Sequence, residues 1–234
     1  MKFSLVIPCF NEEGTIKLIL DRTKYIFERN NIELVLVNNG SSDNTKYIIE
    51  NLIKKYPYAK FINLDKNIGY GGGILEGLKH CEGEIIGWTH ADLQTDPLDC
   101  IDAFNKFKNV SNKYKLFIKG NRKNRHPYNQ FFTFGMSIFE SILLGKLVYD
   151  INAQPTIFPR KFYKSWINPP TDFSLDLYSY YLAKKNNYKV KRISVNFAKR
   201  ISGKSKWNTS FISRMRFILR TIKFSFKLKF QKLV

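Results

Sequence analysis

Three residues with ligating side chains fall on alternate positions of the stretch Trp88-Thr89-His90-Ala91-Asp92-Leu93-Gln94-Thr95-Asp96-Pro97. On an extended segment alternate side chains share a face, so His90, Asp92 and Gln94 can converge on one point. An imidazole, a carboxylate and an amide oxygen there could hold a divalent cation, and that cation could hold a diphosphate. The competing reading is a solvated turn with a helix cap at Asp96; so short a pattern does not separate the two. The stretch follows Glu84-Ile85-Ile86-Gly87, an apolar run that reads as a buried strand. After it come Pro97 and the helical spacing of Leu98, Ile101, Phe104 and Phe107. Proline suits a first helical position because its missing N–H has no partner there. The candidate ligands therefore sit where a strand has ended and a helix has not begun, and in parallel α/β sheets ligands bind beyond the carboxyl ends of strands.

The elements that must place this turn can be read in order. Strands are expected at 3–7, 33–37 and 61–64, with the strand before His90 as the fourth. Helical spacing appears through Ile16, Ile19, Leu20 and Phe27, and again through Ile48, Ile49, Leu52 and Ile53. Asn38-Asn39-Gly40-Ser41-Ser42-Asp43 reads as a turn closing in a helix cap at Ser42 or Asp43. Gly69-Tyr70-Gly71-Gly72-Gly73 precedes a helix through Ile74, Leu75 and Leu78. Glycine leaves the backbone open to a phosphate, yet this is neither Gly-x-Gly-x-x-Gly after the first strand nor a loop closed by Gly-Lys-Ser/Thr. A flexible helix entry explains these glycines at least as well. Strands alternating with helices over short connections predict an α/β fold, a mostly parallel central sheet with helices on both faces.

Composition bounds the rest. The 234 residues are 44% hydrophobic, enough for one domain with an appendage. A net charge of +20 points to anionic partners: phosphorylated substrates, anionic lipid or nucleic acid. Cys9, Cys81 and Cys100 are scattered, so neither a zinc site nor a disulfide framework is indicated, and a reducing compartment is the default. A strand-like run begins at once, so no signal peptide is expected. No stretch reaches the roughly 18–20 uncharged apolar residues of a membrane span; the longest candidate, 131–145, contains Glu140.

Beyond Pro97 a strand at 116–118 leads into Lys119-Gly120-Asn121-Arg122-Lys123-Asn124-Arg125, a basic loop on the expected ligand side. The segment 131–147 is apolar on most faces and reads as core or as a helix laid against membrane. A polar loop carrying Asn152, Gln154 and Pro155 enters a short strand, Asp172 caps a further helix, and 188–197 closes the set of strands. From Leu177 to the end there is no acidic residue. Phe211, Ile212, Met215, Ile218, Leu219 and Ile222 recur at helical spacing beside Arg214, Arg216, Arg220 and Lys223, a basic amphipathic helix suited to an anionic membrane surface or to packing on the domain. The helical pattern weakens after 223, where apolar and polar residues alternate. RNA is a lesser option for this tail, which holds no recognised module.

Four stretches in order and spacing resemble one family: 6–13 (Val-Ile-Pro-Cys-Phe-Asn-Glu-Glu), 37–43 (Val-Asn-Asn-Gly-Ser-Ser-Asp), 67–72 (Asn-Ile-Gly-Tyr-Gly-Gly) and 91–94 (Ala-Asp-Leu-Gln). They resemble the family-2 glycosyltransferases of GT-A fold, in their polyprenyl-phosphate, dolichol-phosphate mannosyltransferase-like branch. The segment Arg200-Ile201-Ser202-Gly203-Lys204-Ser205-Lys206 is similar to the end of that branch's catalytic domain. The resemblance implies a catalytic domain over 1–205 and a basic tail over 206–234. It implies a nucleotide-sugar site made by Pro8, Phe10, Glu12, Asn39, Gly69, Ala91 and Asp92, and Mg2+ or Mn2+ held by Asp92 and Gln94 with His90 at the place of a further acid. Two departures stand out. Asn38 and Asn39 replace the usual aspartates, so a base N–H would be accepted without charge assistance. His90 replaces the first acid of Asp-x-Asp, and an imidazole suits Mg2+ less well than a carboxylate.

The implied chemistry is attack on an anomeric carbon with loss of a nucleoside diphosphate, the metal neutralising the leaving group. A hydroxyl acceptor, on a polysaccharide or lipid-linked oligosaccharide, needs a base, for which Asp172 and Asp176 are the candidates. A polyprenyl phosphate is already anionic and needs only cations to place it. Arg122, Arg125, Arg200 and Lys206 are of the right type. Asp92, Arg122 and Asp176 are thus the residues expected to carry the reaction. The expected setting is cytoplasmic, peripheral at the inner face of the membrane, with or without an integral-membrane partner. A degenerate, membrane-associated binding subunit is the non-enzyme alternative.

Overall fold

The computed structural model describes residues 1–124, 127–201 and 211–230. The first half alternates strand and helix: β1 (Phe3–Cys9), α1 (Ile16–Asn30), β2 (Ile32–Asn39), α2 (Thr45–Leu52), β3 (Ala59–Leu64), α3 (Tyr70–Lys79), β4 (Ile85–Trp88) and α4 (Asp99–Lys108). The second half adds β5 (Leu116–Lys123), α5 (Pro127–Leu144), β6 (Thr156–Pro159), α6 (Arg160–Tyr163), α7 (Ser174–Lys185), β7 (Lys189–Asn196) and α8 (Phe211–Phe230).

The strands form one seven-stranded sheet in the order β3-β2-β1-β4-β6-β5-β7. β6 runs antiparallel to both its neighbours, β4 and β5, while the other pairings are parallel. The period of two along each strand sorts the core onto two faces. Phe3, Leu5, Ile7 and Cys9 of β1, with Leu34 and Leu36 of β2, pack beneath α1 and α4. Val6, Val35 and Val37 face the other way, toward Ile74 and Leu78 of α3 and toward α7. α3 lies close on the sheet because Gly77 carries no side chain: a Cβ there would stand 2.4 Å from a Val6 methyl.

This topology explains where a ligand would sit. From β1 the chain winds outward through β2 to β3, then returns by α3 to β4 on the other side of β1. The winding reverses between β1 and β4, and a crevice opens at their carboxyl ends. The turn after β1 and the turn after β4 are therefore neighbours.

Two expectations need correction. The basic segment 119–123 is not a loop: it is strand, paired in register with β7 from Lys119↔Arg192 to Lys123↔Asn196. The alternating pattern after 223 does not end the last helix, which runs to Phe230. Its Leu228 and Ser225 are buried, Ser225 donates to Glu140 of α5 at 2.7 Å, and Phe226 meets Phe139. The tail thus packs on the domain along one side. The expected boundary at 205/206 lies outside the described residues.

Candidate active site

The β1 and β2 turns are stitched together before any ligand is considered. Asn11, in the left-handed region at φ 58°, accepts from the Ser42 amide (2.8 Å), while its own N–H donates to Ser41 Oγ (3.0 Å). The Glu12 amide donates to Thr45 Oγ1 (2.8 Å), and Glu13 accepts from the Asn44 amide (3.0 Å). Asp43 takes the Thr45 amide at 3.0 Å, but the N-cap of α2 is Asn44, one residue beyond the expected Ser42 or Asp43. Pro8, the last residue but one of β1, is in register with Val37, and Phe10, partly exposed, follows the strand into the crevice.

Asn38 and Asn39 are both buried and both use each end of the amide. Asn39 Nδ2 donates to the Gly69 carbonyl (2.9 Å) and its Oδ1 accepts from the Ile68 amide (3.0 Å). Asn38 donates to Asn63 Oδ1 (2.8 Å) and accepts from the Ser41 amide (3.2 Å). An aspartate at 39 could make only the second of its two bonds. The asparagines therefore have a structural reason, and Asn39 spends its polar atoms on the 67–69 loop.

The glycine loop is likewise occupied by protein. Gly69 has φ 88°, and a Cβ there would lie 2.3 Å from the Thr171 carbonyl. At Gly71 it would lie 2.6 Å from the Asp172 carbonyl, and the Gly72 amide donates to Thr171 O at 2.8 Å. The glycines let α3 meet residues 170–172, a packing role in line with the helix-entry reading of this loop.

The turn after β4 is not extended, so the alternation argument for His90, Asp92 and Gln94 fails at Leu93, whose φ is 55°. Gln94 turns away: its Nε2 donates to the Ala198 carbonyl (3.3 Å) and its carbonyl accepts from the Ala198 amide (2.8 Å). The His90 ring stacks on Tyr70 with centroids 5.4 Å apart, and Tyr70 stacks on Phe173 at 4.5 Å. Burial pushes the His90 pKa down, which keeps its imidazole neutral. Ala91 points its methyl into the core. Among the described residues no three His, Cys, Asp or Glu side chains gather into a metal cluster.

Asp92 instead meets a carboxylate from the neighbouring turn. Arg200, just past β7, donates to Asp92 Oδ2 at 2.7 Å and to Glu12 Oε1 at 3.2 Å. Both acids are buried, 6% and 8% exposed, and Asp92 Oδ1 also accepts from the Gln94 amide (3.1 Å). Burial raises the Glu12 pKa to about 7, with Arg200 opposing and Asp92 adding to the rise. Two buried carboxylates facing one cation are a donor set that fits a divalent metal, with the guanidinium in its place.

The remaining expected residues lie apart. Arg122 Nε donates to Asp150 Oδ1 at 3.0 Å, its amide to Asp150 Oδ2 at 3.1 Å, and its guanidinium covers the Phe197 ring. It is turned inward and neutralised rather than offered to a phosphate. Asp176 is 1% exposed and accepts from Lys119 Nζ (3.0 Å) and Gln154 Nε2 (2.7 Å). Lys119 is itself fully buried, its pKa pushed down by that burial. A base must reach its acceptor, so Asp176 in this position is a strut and not an accessible base. Asp172 accepts from the Ser174 amide at 2.9 Å and lies 3.9 Å from Arg220 of α8. Arg125 and Lys206 lie outside the described residues. Sequence reasoning missed Tyr70, Phe173, Lys119 and the Glu12–Arg200 contact; Tyr70, an aromatic inside a glycine run, was the readable signal.

The model of glycosyl transferase family 2 matches residues 4–165, which takes in both turns and the sheet that carries them. The chain belongs to this family. It is 28% identical to a dolichyl-phosphate beta-glucosyltransferase of Trichomonas vaginalis over 71% of this chain and 57% of that protein. It is 35% identical to a prophage bactoprenol glucosyl transferase homolog of Escherichia coli over 43% of this chain and 33% of that protein. The chain spans about half the length of the curated relatives it matches. Among solved structures, glucosyl-3-phosphoglycerate synthase of Mycobacterium tuberculosis, crystallised with Mn2+ and UDP, superposes with a TM-score of 0.73 at 14% identity, covering 97% of this chain and 80% of that one. At that identity the likeness is one of fold, and the fold is GT-A.

Proposed function

We propose that this family-2 glycosyltransferase moves a sugar from a nucleotide-sugar donor to a polyprenyl phosphate carrier. The names of the similar proteins, one acting on dolichyl phosphate and one on bactoprenol, support the acceptor class and make glucose the first sugar to test. The observation that carries the reading is the state of the two candidate acids. Asp92 stands at the switch-point crevice with Glu12, within reach of a donor, whereas Asp176 is sealed beneath Tyr70 by Lys119 and Gln154. With Asp176 sealed, Asp172 is the remaining candidate base, and an acceptor that arrives already anionic needs neither.

Asp92 and Glu12 would hold the cation, Mg2+ or Mn2+, with the neutral imidazole of His90 nearby. When bound, the metal would neutralise charge on the departing diphosphate. The chain's own contribution is placement: the turns after β1 and β2 hold the donor against the sheet end, and the half-buried Tyr70–Phe173 stack keeps His90 in place. Attack by the lipid phosphate oxygen forms the new C–O bond as the bond to the diphosphate breaks, and no proton need move.

The setting is read from α5 and α8. Phe131, Phe134, Ile138 and Ile142 of α5 and Ile212, Met215 and Leu219 of α8 are exposed, and α8 also exposes Arg216, Arg220 and Lys223. Apolar and basic groups together suit the surface of an anionic, inner-face membrane, alone or beside an integral-membrane partner. No helix among the described residues is long and apolar enough to cross a membrane.

The test incubates the full chain with labelled nucleotide-sugars and polyprenyl phosphate in anionic vesicles. The expected product is a lipid whose sugar is released by mild acid, as a glycosyl phosphate is. Label in a glycan that survives mild acid would establish the hydroxyl-acceptor reading, with Asp172 as its base.

A further inference from the structure

Arg200 occupies the point where the proposed cation would bind, and this has a consequence for the order of events. The segment 197–201 runs from β7 to the two acids, which Arg200 reaches. It is pinned at its start, where the Phe197 amide donates to Lys123 O (3.3 Å) and Ala198 exchanges two hydrogen bonds with Gln94. Arg200 lies two residues past the last pin, and its side chain is 25% exposed while those of Asp92 and Glu12 are 8% and 10% exposed. The acids are the more buried partners and the cation is the more exposed one. Two buried carboxylates so close together need a counter-charge, and Arg200 supplies it.

We propose that Arg200 is a built-in counter-cation that excludes a divalent metal from Asp92 and Glu12 until a diphosphate draws it away. The proposal rests on the reading of Asp92 as a cation site. A metal entering beside the guanidinium would meet a positive charge and would find both carboxylates already hydrogen-bonded. A diphosphate offers the guanidinium an equally good bidentate partner. Once Arg200 swings to the phosphates, Asp92 and Glu12 are uncovered and would be free to hold the metal. Donor and metal therefore bind with positive coupling, and the metal alone binds poorly.

The experiment measures Mn2+ binding to the full chain by the loss of free-Mn2+ electron paramagnetic resonance signal. Wild type, Arg200→Ala, Arg200→Gln and Lys199→Ala are compared, with circular dichroism to confirm that each is folded. Lys199 is exposed, and its loss removes an equal charge from the same segment without opening the acids. Arg200→Ala and Arg200→Gln are expected to bind Mn2+ roughly tenfold more tightly than wild type, and Lys199→Ala about as wild type does, a coupling of ordinary allosteric size. The gain should vanish when Asp92→Asn is added to Arg200→Ala. Unchanged Mn2+ affinity in both Arg200 variants overturns the proposal while leaving the cation site standing. An equal gain in Lys199→Ala also overturns it, since the effect is then one of general charge. No Mn2+ bound by any variant, with or without a nucleoside diphosphate, overturns the cation reading of Asp92 and this proposal with it.

Discussion

Among the buried acid–base clusters near the carboxyl end of the sheet, two differ in what can reach them. In one, Arg200 bridges Asp92 and Glu12 at the open crevice; in the other, Lys119 and Gln154 enclose Asp176 beneath Tyr70. The first has two acids to one cation, and its cation is partly in solvent. The second has one acid to one cation, both at 1% exposure or less. A surplus charge with an accessible partner is built to exchange that partner for a ligand. A matched pair with none is built to hold elements together, here β5 through Lys119 and α7 through Asp176, with Gln154 just ahead of β6. Chemical type alone does not tell such clusters apart; accessibility and charge balance do.

The comparison can be broken most directly by removing Lys119. Lys119→Met leaves Asp176 buried without its counter-charge, and breaking such a pair costs about 3–5 kcal/mol. Urea denaturation should show that loss. A loss below about 1 kcal/mol would mean that water reaches Asp176 and that the cluster is open after all. Asp92→Asn tests the other cluster in the opposite sense. It removes one of two like charges, so stability should hold within about 1 kcal/mol. Transfer should nevertheless fall by roughly 10²–10³-fold, the usual loss when stabilisation of a leaving group's charge is removed. Retained turnover in Asp92→Asn would remove the crevice cluster from the chemistry.

How much of this was legible beforehand follows from what a linear pattern encodes. The alternation of Phe3, Leu5 and Ile7 with Val6 carries the two-faced strand, and the βα repeats carry the parallel half of the sheet. The four motifs carried the family. The place of Asp92 at the crevice was legible because a strand end precedes it. Gln94 was misplaced because one left-handed residue, Leu93, breaks the alternation, and nothing in leucine announces that conformation. Asp176 and Arg122 were misread as reachable because burial depends on partners 57 and 28 residues away, Lys119 and Asp150. The Arg200–Glu12 contact spans 188 residues and could only come from the fold.

Asn39 sharpens the comparison at the rim of the crevice. Its amide holds the 67–69 loop by one donated and one accepted bond, so Asn39→Asp turns the first into a meeting of two oxygens. The expected cost is about 1–3 kcal/mol, the penalty of a buried group left unsatisfied. Thermal melting checks the size. Recovery of full stability at a pH low enough to protonate the new acid would confirm the cause, since a carboxylic acid can donate to Gly69 O again.

The smallest effect belongs to another buried acid, which has no cation beside it among the described residues. Glu140 of α5 is fully buried against Ser225 of α8, and burial raises its pKa from 4.5 to about 7. A raised folded-state value means that the fold favours the protonated form. Its stabilising contribution is complete below the unfolded value near 4.5 and is lost as pH rises through about 7. The wild-type melting temperature should therefore decline across that window relative to Glu140→Gln, which stays neutral throughout and can still accept from Ser225. Parallel pH profiles for the two proteins would show that solvent already reaches Glu140 and that α8 does not cover it. A divergence confined to that window would show that α8 is held on α5 through a neutral acid, unlike either cluster at the sheet end.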